Sequence, residues 1–227
     1  TLLQNRNIPM KQFRNKQNNT VNLSPPSLLA LGFLSFIILG TFLLKLPFAN
    51  HGDLSWFNAL FTATSAVTIT GLSVVNVGET YTVFGKVIIM MLIQCGGLGF
   101  MTFAILAALS LSPKIGLKQQ VMAQDTIGQT SLSKVSFTIK GVLLYSLFFE
   151  AIGTVILTIA WMEDYDFAKA FFYAAFYSVS AFNNGGFSLF PNSLMSFHDK
   201  YFITFTISML YIIGGIGFVV LMDIKRA

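Results

Sequence analysis

Long and short apolar segments alternate along this 227-residue chain. A helix needs roughly 20 apolar residues to cross a hydrocarbon core of ~30 Å. Four segments reach that length, at residues 27–49, 82–109, 136–162 and 201–222. A shorter apolar run lies between the first two segments, and another lies between the last two. The pattern predicts an all-α membrane protein in which a span, a half-length helix, a turn and a second span occur twice.

The two short runs have closely related sequences, at residues 56–74 and 171–189. Aligned without gaps, they share seven identical pairs: Phe57/Phe172, Ala59/Ala174, Phe61/Phe176, Ser65/Ser180, Ala66/Ala181, Gly71/Gly186 and Ser73/Ser188. A run such as 57–67, at ~1.5 Å per residue, reaches only about half-way through the core. Each run ends in a polar turn that contains glycine. This pattern is typical of a re-entrant pore helix followed by an ion filter.

The flanking spans repeat as well. Residues 38–41 match 151–154, and residues 95–100 match 213–218, where both segments carry Gly-Gly-x-Gly. Small residues of this kind favour close helix packing, and a hinge is the alternative. The duplication predicts four parts: a cytoplasmic N-terminal segment at 1–26, pore repeat 1 at 27–111, a cytoplasmic connection at 112–135 and pore repeat 2 at 136–227.

Charge supports the membrane assignment and predicts the orientation. Only 10% of residues are charged, against about 25% in soluble domains. Ten of the 14 Lys and Arg residues fall in the N-terminal segment, the central connection with its edges, and the C-terminal end. Because cytoplasmic loops carry the excess of basic residues, these three regions are predicted to be cytoplasmic. The opposite side collects acidic residues, which either concentrate cations at a pore mouth or simply form solvated loops.

The two turns carry the candidate chemistry. Irregular backbone at membrane depth must be buried in protein or line a wet cavity. Carbonyl groups turned towards an axis can replace the water shell of K⁺, and a helix C-terminus favours a cation. Gly71 and Gly186 allow the positive φ that such a turn needs. The predicted potassium-binding residues are Thr68, Ile69, Thr70, Gly71, Leu72, Asn183, Asn184, Gly185, Gly186 and Phe187. An ordinary loop between spans is the alternative.

Glu150 lies near the middle of the third span. A carboxylate inside a membrane is costly and therefore indicates a function. We expect it to support the second filter from behind by hydrogen bonding, with direct ion coordination and ordinary packing as the alternatives.

Other functions are disfavoured. The glycine clusters lack the Gly-x-x-x-x-Gly-Lys-Ser/Thr pattern of a phosphate-binding loop, so no nucleotide cofactor is expected in this chain. The basic residues segregate by membrane side, which argues against nucleic-acid binding. An intramembrane hydrolase would need a catalytic pair at membrane depth, but His51, His198 and nearly all carboxylates lie near the ends of spans. A scaffold subunit has no need of polar re-entrant turns. The chain is predicted not to be an enzyme.

The turn motifs resemble those of a known family. Thr-Ile-Thr-Gly-Leu-Ser after the first short helix, Phe-Asn-Asn-Gly-Gly-Phe-Ser after the second, and the Gly-Gly-x-Gly spans resemble the Trk/Ktr/HKT potassium transporter superfamily. Ser24-Pro25-Pro26-Ser27 is most similar to the membrane subunits of bacterial Ktr systems. The resemblance implies potassium uptake across a bacterial plasma membrane, with Na⁺ as a coupling ion in some members. It identifies Gly71 and Gly186 as the one strictly placed glycine of each filter. A re-entrant-loop transporter for another ion or substrate is the alternative.

The resemblance also implies partners. Family members carry four repeats around one pseudo-tetrameric pore, whereas this chain has two. The remaining two repeats are therefore expected from the same polypeptide or from another chain. A homodimer and a cytosolic ring of nucleotide-binding regulatory subunits are implied too. The segment 112–134 is predicted to contact that ring, and resting on lipid headgroups is the alternative.

Overall fold

The computed structural model describes residues 25–111 and 140–216, and every regular element within them is helical. The predicted all-α class is therefore confirmed for these residues. The elements are α1 (Pro25–Lys45), α2 (Trp56–Val67), α3 (Val77–Thr80), α4 (Val83–Leu111), α5 (Lys140–Trp161), α6 (Phe167–Phe182), a 3-10 turn (Met195–Phe197) and α7 (Tyr201–Ile216).

Helices α5 and α7 fall within their predicted spans, whereas α1 begins two residues before its span and α4 ends two residues after its span. Helices α2 and α6 lie in the two short runs. By length and composition, α5 is the one helix in the described part of the chain that could cross a membrane. The other three contribute shorter apolar stretches, Leu29–Lys45, Val83–Gly99 and Tyr201–Ile216, among the residues with described side chains. The first span was predicted to reach residue 49, but α1 ends at Lys45. Pro47 explains the difference, because the residue before a proline is disfavoured in helical geometry.

Helix α4 is central to the packing. It contacts α1, α2 and α6, whereas α6 also contacts α7. Tyr81 immediately precedes α4, is fully buried and donates a hydrogen bond from its hydroxyl group to Thr62 Oγ1 of α2 at 3.0 Å. Burial raises the pKa of the Tyr81 hydroxyl. The short helix α2 is thereby held against the N-terminal end of α4.

Two glycines at matching positions let α1 and α5 approach their neighbours. A Cβ placed on Gly40 of α1 would lie 2.6 Å from Leu92 of α4. A Cβ placed on Gly153 of α5 would lie 2.6 Å from Leu210 of α7 and 2.4 Å from Ser178 Oγ of α6. Each position therefore accepts only glycine without displacement of a neighbour.

The first glycine of each Gly-Gly-x-Gly segment lies against the end of a short helix. A Cβ on Gly96 would be 2.2 Å from the carbonyl oxygen of Val67, the last residue of α2. A Cβ on Gly214 would be 1.8 Å from the carbonyl oxygen of Phe182, the last residue of α6. These contacts favour the close-packing interpretation for both residues.

Some predictions lie outside the described residues. They concern most of the N-terminal segment 1–26, the connection 112–135 and the chain after Ile216, including the basic residues on which the predicted orientation rests.

Candidate functional site

The chain turns in the same way at the ends of α2 and α6. Ile69 and Asn184 occupy matching positions and have φ of 56° and 58°, and Gly71 and Gly186 follow with φ of 76° and 70°. A β-branched residue at positive φ is a genuine outlier, because its side chain crowds the backbone. Ile69 is therefore strained, and strain of this kind is held by the surrounding structure and concentrates at functional sites.

Backbone hydrogen bonds fix both turns. The Thr70 amide donates to the Ser65 carbonyl at 2.9 Å, and the Ile69 amide donates to the Ala66 carbonyl at 3.3 Å. This pair of bonds is a Schellman motif, which satisfies carbonyls that a helix end leaves free. The second turn has the same two bonds, Gly185 to Ser180 at 2.6 Å and Asn184 to Ala181 at 3.0 Å. The two turns are thus alike in backbone as well as in sequence.

The glycines of the two turns face each other. A Cβ placed on Gly71 would lie 2.8 Å from the Gly185 carbonyl oxygen and 2.9 Å from Gly186 Cα. A Cβ placed on Gly186 would lie 3.1 Å from Gly71 Cα. The atoms in the way are backbone atoms, so they cannot move aside as a side chain could. The sequence-predicted glycines are therefore brought together at one point.

The electrostatics at that point favour a cation. Helices α2 and α6 end four residues before Gly71 and Gly186, respectively, and the last turn of each contains no basic residue. A helix C-terminus carries roughly half a negative charge, and no lysine or arginine in these last turns offsets it.

Asn183 begins the second turn and is held by several acceptors. Its Nδ2 donates to Glu150 Oε1 at 2.9 Å, to Gln94 Oε1 at 2.8 Å and to the Val179 carbonyl at 3.0 Å. Its Oδ1 lies against α4, where a Cβ on Gly97 would approach it to 2.1 Å. The structure therefore brings Glu150, the predicted filter support, to the first residue of the second turn.

Sequence reasoning missed Gln94 and Ser146. Gln94 Nε2 donates to Ser146 Oγ at 2.9 Å, and Ser146 Oγ donates to Glu150 Oε1 at 2.6 Å. Two signals pointed to them: Gln94 is a polar residue inside an apolar span, and Ser146 lies one helical turn before Glu150.

The side chain of Asn184 reaches α7. With its amide oriented to suit both neighbours, the nitrogen donates to the Tyr211 carbonyl at 3.2 Å and the oxygen accepts from the Gly215 amide at 3.3 Å. The second turn is thereby joined to the Gly-Gly segment of the last helix.

The two turns differ at the residues that follow their glycines, Leu72 in the first turn and Phe187 in the second. Ser180 Oγ donates to the Phe187 carbonyl at 3.0 Å, whereas the matching Ser65 Oγ is buried without a hydrogen-bond partner. Phe187 is 3% exposed and Leu72, its counterpart, is 60% exposed. The second turn is therefore anchored in the core, while the outer end of the first lies at the surface of the described chain.

Several of the acidic residues that were predicted to lie on the outer side form ion pairs. Lys200 Nζ forms ion pairs with Asp164 and, at 3.7 Å, with Glu163, and the bond to Asp164 raises the pKa of Lys200. His198 Nε2 lies 3.0 Å from Asp199. These pairs favour the solvated-loop interpretation for three of the carboxylates. Among the described residues, no cluster of three His, Cys, Asp or Glu side chains could hold a metal ion.

The described chain is all-helical, with apolar stretches in α1, α4, α5 and α7, and helices are one of the two backbone structures that can span a membrane. The chain belongs to the TrkH family of cation transport proteins, whose family model matches residues 14–225. The family assignment made from the turn motifs is therefore confirmed.

Several curated relatives support this membership. The chain is 46% identical to the Ktr system potassium uptake protein B of Bacillus subtilis (strain 168), over 91% of this chain and 46% of that protein. It is 40% identical to the Vibrio alginolyticus protein of the same name, over 88% and 44%. It is 36% identical to the potassium/sodium uptake protein NtpJ of Enterococcus hirae, over 89% and 45%. The chain spans about half the length of these relatives.

Proposed function

We propose that this chain is the ion-translocating part of a Ktr-type system that takes up potassium across the plasma membrane. The observation that carries the proposal is the pair of matching turns whose glycines, Gly71 and Gly186, meet at one point. In this proposal the carbonyls of residues 68–72 and 183–187 form two quadrants of one filter and replace the water shell of K⁺. The names of the potassium uptake relatives support K⁺ as the cargo.

The proposed architecture is two span–pore helix–filter–span repeats. Equivalent glycines of the two repeats support it, because they have equivalent neighbours. Gly40 and Gly153 form one such pair, and Gly96 and Gly214 form the other. The sequence boundaries of the repeats, 27–111 and 136–227, belong to this proposal.

Two further repeats complete the proposed pore. In this proposal, helix α7 packs against the third repeat. On α4, Ile93 is fully buried, and a Cβ on Gly185 of the second turn would lie 2.8 Å from it. The matching residue of α7, Tyr211, is exposed and borders a cavity of about 350 Å³ beside the second turn. Because α4 buries this face against a filter turn, we propose that α7 buries its own against the turn of a third repeat, in the same polypeptide or in another chain.

The remaining assignments follow the same proposal. The N-terminus, the segment 112–134 and the C-terminal end face the cytoplasm, and the short helices enter from outside. The assembled protein is a homodimer embedded in lipid, with a cytosolic nucleotide-binding ring that contacts 112–134. Na⁺ is the second candidate ion, as cargo or coupling ion, because one relative is named a potassium/sodium uptake protein.

Ion uptake by the full-length protein tests the proposal. In bacterial cells that lack their own potassium uptake systems, the protein should restore growth at limiting K⁺ and accumulate ⁸⁶Rb⁺. Excess unlabelled K⁺ should compete with the label at a concentration at least about ten-fold lower than Na⁺, which corresponds to ~1.4 kcal/mol of preference. Equal competition by both ions would favour the alternative of a general cation transporter, and expression in the membrane without any uptake would contradict the proposal.

A further inference from the structure

We infer that Gln94 of α4 is a specificity-determining positioning residue, which acts on the second filter turn through a closed ring of hydrogen-bonded side chains, three of them buried and Gln94 itself half-buried. The ring contains Gln94, Ser146, Glu150 and Asn183. This inference rests on the proposed function and extends the supporting role predicted for Glu150 to a set of residues that bridges the two repeats.

The ring closes through four hydrogen bonds. Gln94 Nε2 donates to Ser146 Oγ at 2.9 Å, and Ser146 Oγ donates to Glu150 Oε1 at 2.6 Å. Asn183 Nδ2 then donates both to that same Glu150 oxygen at 2.9 Å and to Gln94 Oε1 at 2.8 Å. Asn183 Nδ2 shares its two N–H groups among three acceptors, whereas its Oδ1 is buried without a hydrogen-bond partner. A buried polar network of this kind is sensitive to the loss of any one member, because each remaining group would be left without its partner at low dielectric.

The ring positions the turn and does not bind the ion directly. Ser146, Glu150 and Asn183 are 1%, 4% and 3% exposed, so an ion in a filter would not reach these side chains. Asn183 is also the C-cap residue of α6 and the first residue of the turn. Its backbone therefore follows any movement of its side chain, and the carbonyls of the turn move with it.

Gln94 makes this positioning depend on the other half of the chain. It lies on α4, before the connection 112–135, whereas the other three members lie after that connection. The first turn is held differently: Thr68, which matches Asn183, bonds through its hydroxyl to the Thr64 carbonyl and to Thr70 Oγ1, both at 2.7 Å. The hydrogen bond that Asn183 donates to Gln94 thus constrains the distance between α4 and the second turn. Ion selectivity depends on the placement of the coordinating carbonyls.

The test uses the full-length protein with the variants Gln94→Leu, Ser146→Ala and Glu150→Ala. Thr158→Val is the matched control, since the Thr158 hydroxyl is also buried in α5 but donates to the Thr154 carbonyl at 2.6 Å, outside the ring. The measurements are the K⁺ and Na⁺ concentrations that half-maximally raise the melting temperature of the purified protein, and the same two concentrations for competition with ⁸⁶Rb⁺ uptake.

We expect Gln94→Leu and Glu150→Ala to raise the half-maximal K⁺ concentration about ten-fold, the size expected for losing a buried hydrogen bond. The half-maximal Na⁺ concentration should change by less than about two-fold. The ion ratio, which is the half-maximal Na⁺ concentration divided by the half-maximal K⁺ concentration, therefore falls. Glu150→Gln keeps an acceptor oxygen and should restore the ratio. Thr158→Val should leave it unchanged. Should Gln94→Leu fail to fold, Gln94→Asn keeps the amide but shortens its reach, and the same ratio is measured.

The outcomes separate the two proposals. A wild-type protein without any K⁺ preference would overturn the proposed function and this inference together. If the wild-type protein prefers K⁺ and the ring variants keep the same ion ratio, the inference alone is overturned. This holds even if those variants lose thermal stability. Glu150→Gln behaving like Glu150→Ala would also overturn it, because the acceptor geometry would then not be the cause.

Discussion

Replacing Gly71 by alanine in the full-length protein is expected to reduce potassium affinity at least about ten-fold and to lower the preference for K⁺ over Na⁺. Two costs add at this position. A left-handed conformation costs a residue with a Cβ roughly 1–2 kcal/mol, and Gly71 has φ of 76°. The new methyl group would also lie 2.8 Å from the Gly185 carbonyl oxygen and 2.9 Å from Gly186 Cα. Both turns must then shift.

Gly186→Ala should act in the same direction with a smaller effect, because its Cβ would lie 3.1 Å from Gly71 Cα. Gly52→Ala is the control, because nothing lies within 4 Å of a Cβ at that position in the loop between α1 and α2. The measurement is competition of K⁺ and Na⁺ with ⁸⁶Rb⁺ uptake, compared at equal membrane abundance. The filter assignment would be wrong if both filter variants kept the affinity and ion preference of the Gly52→Ala control.

Gly214→Ala is expected to destabilise the fold by about 1–3 kcal/mol or more, as inserting a group into a packed site does. The added Cβ would lie 1.8 Å from the Phe182 carbonyl oxygen, which belongs to the end of α6. Helix α7 would have to move away from the second turn as a whole. Thermal unfolding of the full-length protein in detergent measures the loss.

The neighbouring Gly215 provides the control for this packing prediction. The nearest atoms to a Cβ at Gly215 belong to the side-chain amide of Asn184, at 3.8 Å, which is an ordinary contact. Gly215→Ala should therefore change stability by no more than about 1 kcal/mol, and alanine is the better helix former. Equal melting temperatures for the two variants would mean that the close contact between α7 and α6 is not a constraint in the assembled protein.

Sequence reasoning located the two matching turns because the signal was a repetition. Matching the two short runs identified Gly71 and Gly186 without any knowledge of their conformation, and the structure gives both a positive φ and a mutual contact. The positive φ of Ile69 was not predictable, because β-branched residues almost never adopt it. Only the duplication, which aligns Ile69 with Asn184, hinted at it.

The ring around Asn183 could be predicted only in part. Glu150 stood out because a carboxylate in an apolar span is costly. Its partners Gln94 and Asn183 are 56 and 33 positions away in the sequence, and no local pattern links residues at such distances. The predicted first span extended too far, to residue 49, for another reason. The apolar sequence continues past Pro47, whereas helix α1 ends at Lys45 because the residue before a proline disfavours helical geometry.

The position of a bound cation tests the central claim most directly. Crystals of the full-length protein grown with Rb⁺, an anomalous scatterer that replaces K⁺, would reveal where the ion binds. The account predicts an anomalous peak bordered by backbone carbonyls of both 68–72 and 183–187. Anomalous peaks confined to other parts of the protein, with both turns well ordered, would contradict it.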